Sequence, residues 1–177
     1  NLTKNLVETY AKALSEQEQR ELVQCLEVLA NDQKYNKLTN YLPDTGEFRR
    51  ELYPKHVDLM NAGFRYRERF ALMGNRTGKS EMGAAETTYH ATGKYPYWWE
   101  GRRFLHPVLI WVGGDTATTC RDIVQKKLIG EVSDIGSGMI PKEDLIIDQC
   151  KTRRNVPDAY EILRIRHVSG EIGRAHV

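Results

Sequence analysis

Phe70-Ala71-Leu72-Met73-Gly74-Asn75-Arg76-Thr77-Gly78-Lys79-Ser80 is the stretch from which the rest of the chain can be read. A short apolar run, Phe70–Met73, leads into a loop that ends in Gly-Lys-Ser. A helical pattern then runs from about Gly78 to Thr92, with Gly93 placed to end it and Pro96 beyond. Strand, glycine loop and helix form the setting in which backbone N–H groups turn inward around a phosphate. Gly78 stands where the chain would pass closest to that anion. Lys79 is placed to reach the β- and γ-phosphates, and Ser80 offers a hydroxyl to magnesium. The helix aims its positive end at the same charge. Gly74, Asn75, Arg76, Thr77, Gly78, Lys79 and Ser80 are therefore the candidate nucleotide-binding residues. Ser80 is the candidate metal ligand, and ATP with Mg2+ is the expected pair of ligands.

Gly-Lys-Ser alone says little, because a chain this long carries it or Gly-Lys-Thr by chance about one time in ten. The apolar run before it and the helix after it supply the weight. The strict phosphate-loop pattern has its first glycine where Met73 stands, and Gly74 lies one residue later. That departure disfavours loops of the small-molecule kinase kind.

Downstream, Pro107–Gly113 is the clearest strand, apolar throughout and so expected to be buried on both faces. Asp115 or Thr116 can cap a helix to about Ile129, with Ile123, Val124 and Leu128 facing inward. Leu145–Ile147 and Tyr160–Val168 are further strand candidates. In the second, Leu163, Ile165 and His167 alternate with Arg164, Arg166 and Val168, the pattern of a half-exposed strand at a sheet edge or in a hairpin. The rhythm of strands and helices predicts an α/β fold: a P-loop NTPase-type parallel sheet flanked by helices, incomplete here.

Upstream the chain reads as helix. Ser15 with Glu18 makes a capping box, so a helix is expected from Glu16. Leu22, Val23, Leu26 and Leu29 recur along it at helical spacing, either as a packing face or as an arm for a partner protein. Asn31-Asp32 weakens it, and residues 34–42 continue or restart it. Leu42-Pro43-Asp44-Thr45-Gly46 is a turn cluster. Pro54 then opens a short helix through Asn61, closed by Gly63. Three regions follow: a helical segment at 1–45, a partial ATPase core at 46–170, and a tail at 171–177. Glu171–Val177, EIGRAHV, resembles the translation of a common short-read sequencing adapter and is set apart from the fold.

The 177 residues are 40% hydrophobic and 28% charged, a globular composition, and the formal net charge is +2. Dedicated DNA-binding domains are usually more basic. Cys25, Cys120 and Cys150 make no C-x-x-C pair, which fits reduced thiols rather than a zinc site or a disulfide framework. The longest apolar run, Val108–Val112, is far too short to span a bilayer.

Several segments together resemble the large subunit of tailed-phage and prophage terminases. They are YPKHVDLMNAG at Tyr53–Gly63, RERFALMGNRTGKSE at Arg67–Glu81 and HATGKYPYWWEGRRF at His90–Phe104. WVGGDT at Trp111–Thr116, DIVQKKLIGE at Asp122–Glu131 and GSGMIP at Gly136–Pro141 continue the series. The resemblance covers most of Leu22–Gly170. It implies an ATPase motor that moves double-stranded DNA into a procapsid in the cytoplasm of a bacterial host. By the same resemblance the complete protein forms a ring of identical subunits and works with a portal protein and a small terminase subunit. Terminase loops often lack the first glycine, as at Met73, and often carry an arginine. Lys79 and Arg76 are accordingly the candidate catalytic residues, Arg76 as a contact to the γ-phosphate or, alternatively, as a solvated loop charge.

Such chemistry also needs an acidic strand that holds magnesium and a glutamate that activates water. Asp148, after Leu145–Ile147, is the internal candidate, but Gln149 stands where the glutamate should be, and the acidic strand is expected beyond this segment. Tyr53 or His56 could touch the base, or simply pack. Tyr95, Tyr97, Trp98 and Trp99 could stack on nucleic acid, or fill a corner between helix and strand. Arg102 and Arg103 are candidates for an arginine finger. His90, His106 and His167 have no ligand-like spacing. Two other functions remain open: a small-molecule kinase using the same loop, and a non-catalytic nucleotide-binding or docking module.

Overall fold

The computed structural model describes residues 14–177. By contact the chain divides between Lys34 and Tyr35 into two units. The first contains most of helix α1, Glu16–Tyr35. Its start is the expected capping box: the Ser15 N–H donates to Glu18 Oε2 at 2.8 Å, and the Glu18 N–H donates to Ser15 Oγ at 3.4 Å. Leu22, Val23, Leu26 and Leu29 are all exposed on this helix.

The second unit holds the rest. Leu38 and Leu42, from the stretch read with the helical front, are buried in its core. Helix α2, Pro54–Asn61, begins with proline at its first position, where a missing N–H costs nothing. Helix α3, Lys79–Thr92, is bracketed by two left-handed glycines, Gly78 at φ 83° and Gly93 at φ 75°. The Gly93 N–H closes the last turn on Tyr89 O at 2.9 Å. Helix α4 runs over 117–129, and Thr116 caps it by accepting from the Thr119 N–H at 3.0 Å. Its middle, Cys120–Gln125, is a π-helical stretch.

Among the described residues six strands are present: β1 Leu109–Trp111, β2 Gly130–Glu131, β3 Asp134–Ile135, β4 Lys151–Thr152, β5 Tyr160–Arg166 and β6 Ile172–His176. β2 and β3 form a small ribbon, and the main sheet has the order β1-β6-β5-β4. This sheet is mixed, not parallel as expected. β1 and β6 are parallel, but β5 pairs antiparallel with both β6 and β4. The physical reason is the connection. Only residues 167–171 join β5 to β6, with Gly170 at φ 87°, and so short a link permits only a hairpin. The segment 171–177 therefore supplies an interior strand, with Gly173, Ala175 and Val177 buried.

Further expectations fail. The strand within Pro107–Gly113 is only Leu109–Trp111, and it is not buried on both faces, because Leu109 and Trp111 are exposed. Phe70–Met73 joins no sheet, and Phe70 and Leu72 are 87% and 88% exposed. Leu145–Ile147 is not a strand either: Leu145 makes one isolated bridge to Ile165, and Ile147–Gln149 is a 3-10 turn. The expected alternation in β5 does hold, and Leu163, Ile165 and His167 are all buried. Leu163 and Ile165 join Met60, Met82, Ala85, Tyr89 and Leu128 in the main core. Each large apolar side chain buried there contributes on the order of 2 kcal/mol. α3 packs on β5 and β6, which fixes the helix that carries the loop at its head.

Candidate phosphate-loop site

The loop 74–78 begins at Met73, half-buried against the core, and ends at the first residue of α3. Two of its residues are left-handed, Arg76 at φ 60° and Gly78 at φ 83°. Gly78 needs to be glycine for its backbone: φ 83° disfavours a side chain, while an added Cβ would meet His56 Nε2 only in ordinary contact at 3.4 Å. Gly74 has no such need, since its added Cβ would meet only Thr77 Cγ2 at 3.7 Å.

The carbonyls of Met73, Gly74 and Thr77 are engaged by nearby side chains. Lys79 Nζ donates to Met73 O at 2.9 Å and to Gly74 O at 2.6 Å. The Thr77 hydroxyl donates to Gly74 O at 2.9 Å. His56, on α2, contacts Thr77 O through Nε2 at 2.8 Å. A carbonyl can only accept, so Nε2 carries the hydrogen. By contrast, the N–H groups of Asn75, Arg76, Gly78 and Ser80 donate to no other described group. The loop thus turns donors outward at the positive end of a 14-residue helix, the arrangement that suits an anion. Lys79 is half-buried and Ser80 exposed beside it.

The structure brings Gly74, Asn75, Arg76, Thr77, Gly78, Lys79 and Ser80 together as one exposed turn. Arg76 makes no hydrogen bond or ion pair among the described residues, so its guanidinium stays available. Around the turn lie groups that local pattern did not single out. Glu81, next after Ser80, pairs with Lys127 of α4. Burial, with Glu81 and Tyr53 nearby, pushes the Tyr41 phenol up. Ser80 and Lys127 edge a cleft of about 190 Å³ whose walls include Val112, Val124 and Leu128.

Arg69 precedes the loop and was not anticipated. Its Nη2 meets Glu86 Oε1 at 2.6 Å, and its Nη1 donates to Leu59 O at 2.6 Å. His90 Nε2 lies 3.6 Å from the same Glu86 oxygen. Burial alone would raise the Glu86 carboxyl, but hydrogen bonds from His90 and Arg69 outweigh it and leave it below its ordinary value. Nothing in sequence spacing flags this cluster, because its members lie 17 positions apart in the case of Arg69 and Glu86.

The remaining candidates separate. Asp148 lies exposed on its 3-10 turn. Trp99 is buried, Trp98 half-buried and Tyr97 exposed; Tyr95, Trp98 and Trp99 crowd around Tyr89 as a corner filling. Arg103 is held to Trp99 O at 3.0 Å and lies over the Tyr95 ring, while Arg102 is exposed. Tyr53 packs on the core edge-on to His56, with ring centroids 5.4 Å apart. No group of three or more His, Cys, Asp or Glu among the described residues could hold a metal ion. No helix among them is long and apolar enough to cross a membrane. The three cysteines are free thiols.

Compared with known proteins, the chain is 34% identical over 169 residues to the terminase large subunit of Salmonella phage P22. The chain is related to terminase large subunits. The match takes in 87% of this chain but only 32% of that relative, so the chain spans about a third of the P22 protein's length. No family model matches, and no solved structure matches. The terminase resemblance carried by the segments from Tyr53 to Pro141 thus holds for most of the chain.

Proposed function

We propose that this chain is the ATP-binding part of a DNA-packaging motor, the terminase large subunit, in which nucleotide binds at Gly74–Ser80. One observation carries the reading most directly. At the head of α3, Lys79 and free N–H groups converge while the carbonyls of Met73, Gly74 and Thr77 are already engaged, so the turn presents donors and positive charge.

These residues fit magnesium-bound ATP. The N–H groups of Asn75, Arg76, Gly78 and Ser80 would face the phosphates. Lys79 would exchange its bonds to Met73 O and Gly74 O for phosphate oxygens, and the Ser80 hydroxyl would face the metal. Bound magnesium would neutralise phosphate charge. Arg76, unpaired and exposed, is the residue placed to respond to the γ-phosphate. In this reading the acidic strand and the water-activating glutamate come from the part of the protein that this chain does not span.

The partners are those of a packaging motor: double-stranded DNA, a portal protein, a small terminase subunit and further copies of the same chain in a ring, in the host cytoplasm. The test uses the complete protein. ATP turnover should rise when double-stranded DNA is added, and Lys79→Ala should abolish it. Turnover that is indifferent to DNA would favour a small-molecule kinase or another phosphate-loop protein. Wild-type turnover in Lys79→Ala would remove the phosphate-loop assignment itself.

A further inference from the structure

We propose that His56 is a positioning residue for the phosphate loop, acting through the Thr77–Gly78 peptide; the proposal rests on the nucleotide-binding reading above. The His56 Nε2–H donates to Thr77 O at 2.8 Å across 21 positions of sequence. A peptide unit is planar and trans, so the carbonyl of Thr77 and the N–H of Gly78 point in opposite directions. No cis peptide occurs among the described residues. Fixing the Thr77 oxygen toward α2 therefore turns the Gly78 N–H to the opposite side, where it can serve as a donor to an anion.

The contact matters because the loop has an alternative. Gly78 tolerates both signs of φ, so a turn of the 77–78 peptide costs little locally. In the turned state a carbonyl oxygen would face the phosphate in place of an N–H, and like partial charges would repel. His56 selects the productive orientation.

His56 is itself held firmly. It is 8% exposed, sits in the first turn of the proline-started α2, and packs edge-on to Tyr53. The ring lies directly against position 78, where a Cβ would stand in ordinary contact, 3.4 Å from Nε2. With Nε2 spent on Thr77, this nitrogen has no hydrogen left for a base. The simpler view of His56 as a satisfied core histidine accounts for its burial. It does not account for a hydrogen bond to the carbonyl that immediately precedes the loop's required glycine.

The test measures binding of two ligands, ATP and inorganic tripolyphosphate, to the 177-residue chain by calorimetry with magnesium present. The variants are His56→Phe, which keeps an aromatic ring but no donor, and His56→Gln, whose amide reaches the same place. Loss of one positioned hydrogen bond should weaken ATP and tripolyphosphate equally, by about tenfold, in His56→Phe. His56→Gln should recover most of that. His56→Asn, with its amide too short to reach, should bind like Phe and gives the same answer should Phe disturb folding, which a thermal melt of each variant reports. A loss confined to ATP would overturn the proposal and place His56 on the base. Equal binding by all variants, or His56→Gln as weak as Phe, would also overturn it. If the wild-type chain binds neither ligand, the nucleotide-site reading falls and this proposal falls with it; if the wild type binds and the variants match it, this proposal alone falls.

Discussion

Arg69 Nη2 donates to Glu86 Oε1 at 2.6 Å, tying the segment that enters the phosphate loop to the middle of the helix that leaves it. The same guanidinium reaches Leu59 O on α2, so three pieces of chain meet at one side chain. The arginine and the glutamate are 24% and 16% exposed, too buried for water to replace the lost partner fully. Arg69→Ala should therefore cost about 2–3 kcal/mol in a urea unfolding measurement.

The same pair sets a pH dependence. The Glu86 carboxyl is held below its ordinary value of 4.5. A depressed carboxyl contributes stability above its unfolded-state value, and that contribution is lost as pH falls through the folded value. The wild-type melting temperature should fall below about pH 4.5 more steeply than that of Glu86→Gln. Parallel pH profiles for the two would show that Glu86 contributes nothing through its charge.

The two glycines of the loop should behave differently. Gly78→Ala forces a side chain into the left-handed region, at a cost of about 1 kcal/mol, and should also impair nucleotide binding. Gly74→Ala meets only ordinary contact and should keep binding within about twofold. Calorimetry with ATP on both variants checks the contrast, and equal losses would contradict it.

At the other end of α3, Gly93 caps the helix beneath the β5–β6 turn. A Cβ there would collide with the His167 ring and lie 2.7 Å from Val168 Cγ2, at φ 75°. Gly93→Ala should destabilise by about 2–4 kcal/mol, read as a lowered urea midpoint. An unchanged midpoint would mean that the hairpin moves aside freely.

Helix α3 was legible in advance because its signals are local: glycine at both ends and a loop that needs a helix behind it. β5 was legible for a similar reason, since alternation survives whatever its neighbours are. Strand direction was not, because the hairpin depends on residues 167–171 and on a segment set apart as a tail. Ile123 was expected to face inward and is 48% exposed. The π-helical stretch Cys120–Gln125 holds more residues per turn than an α-helix, so side chains there depart from the 3.6-residue phase. Within the site, the loop residues were readable from the motif. The contacts of His56 and Arg69 were not, because each joins positions far apart in the chain and leaves no periodic trace.

β1 closes one side of the main sheet, and its Leu109 and Trp111 side chains are 53% and 74% exposed. A bare rim of this kind is a template on which any extended apolar stretch can be laid down, including one from another molecule of the same chain. The consequence is kinetic: association through such a rim needs two molecules to meet, so any loss of dispersed protein by this route would grow with concentration.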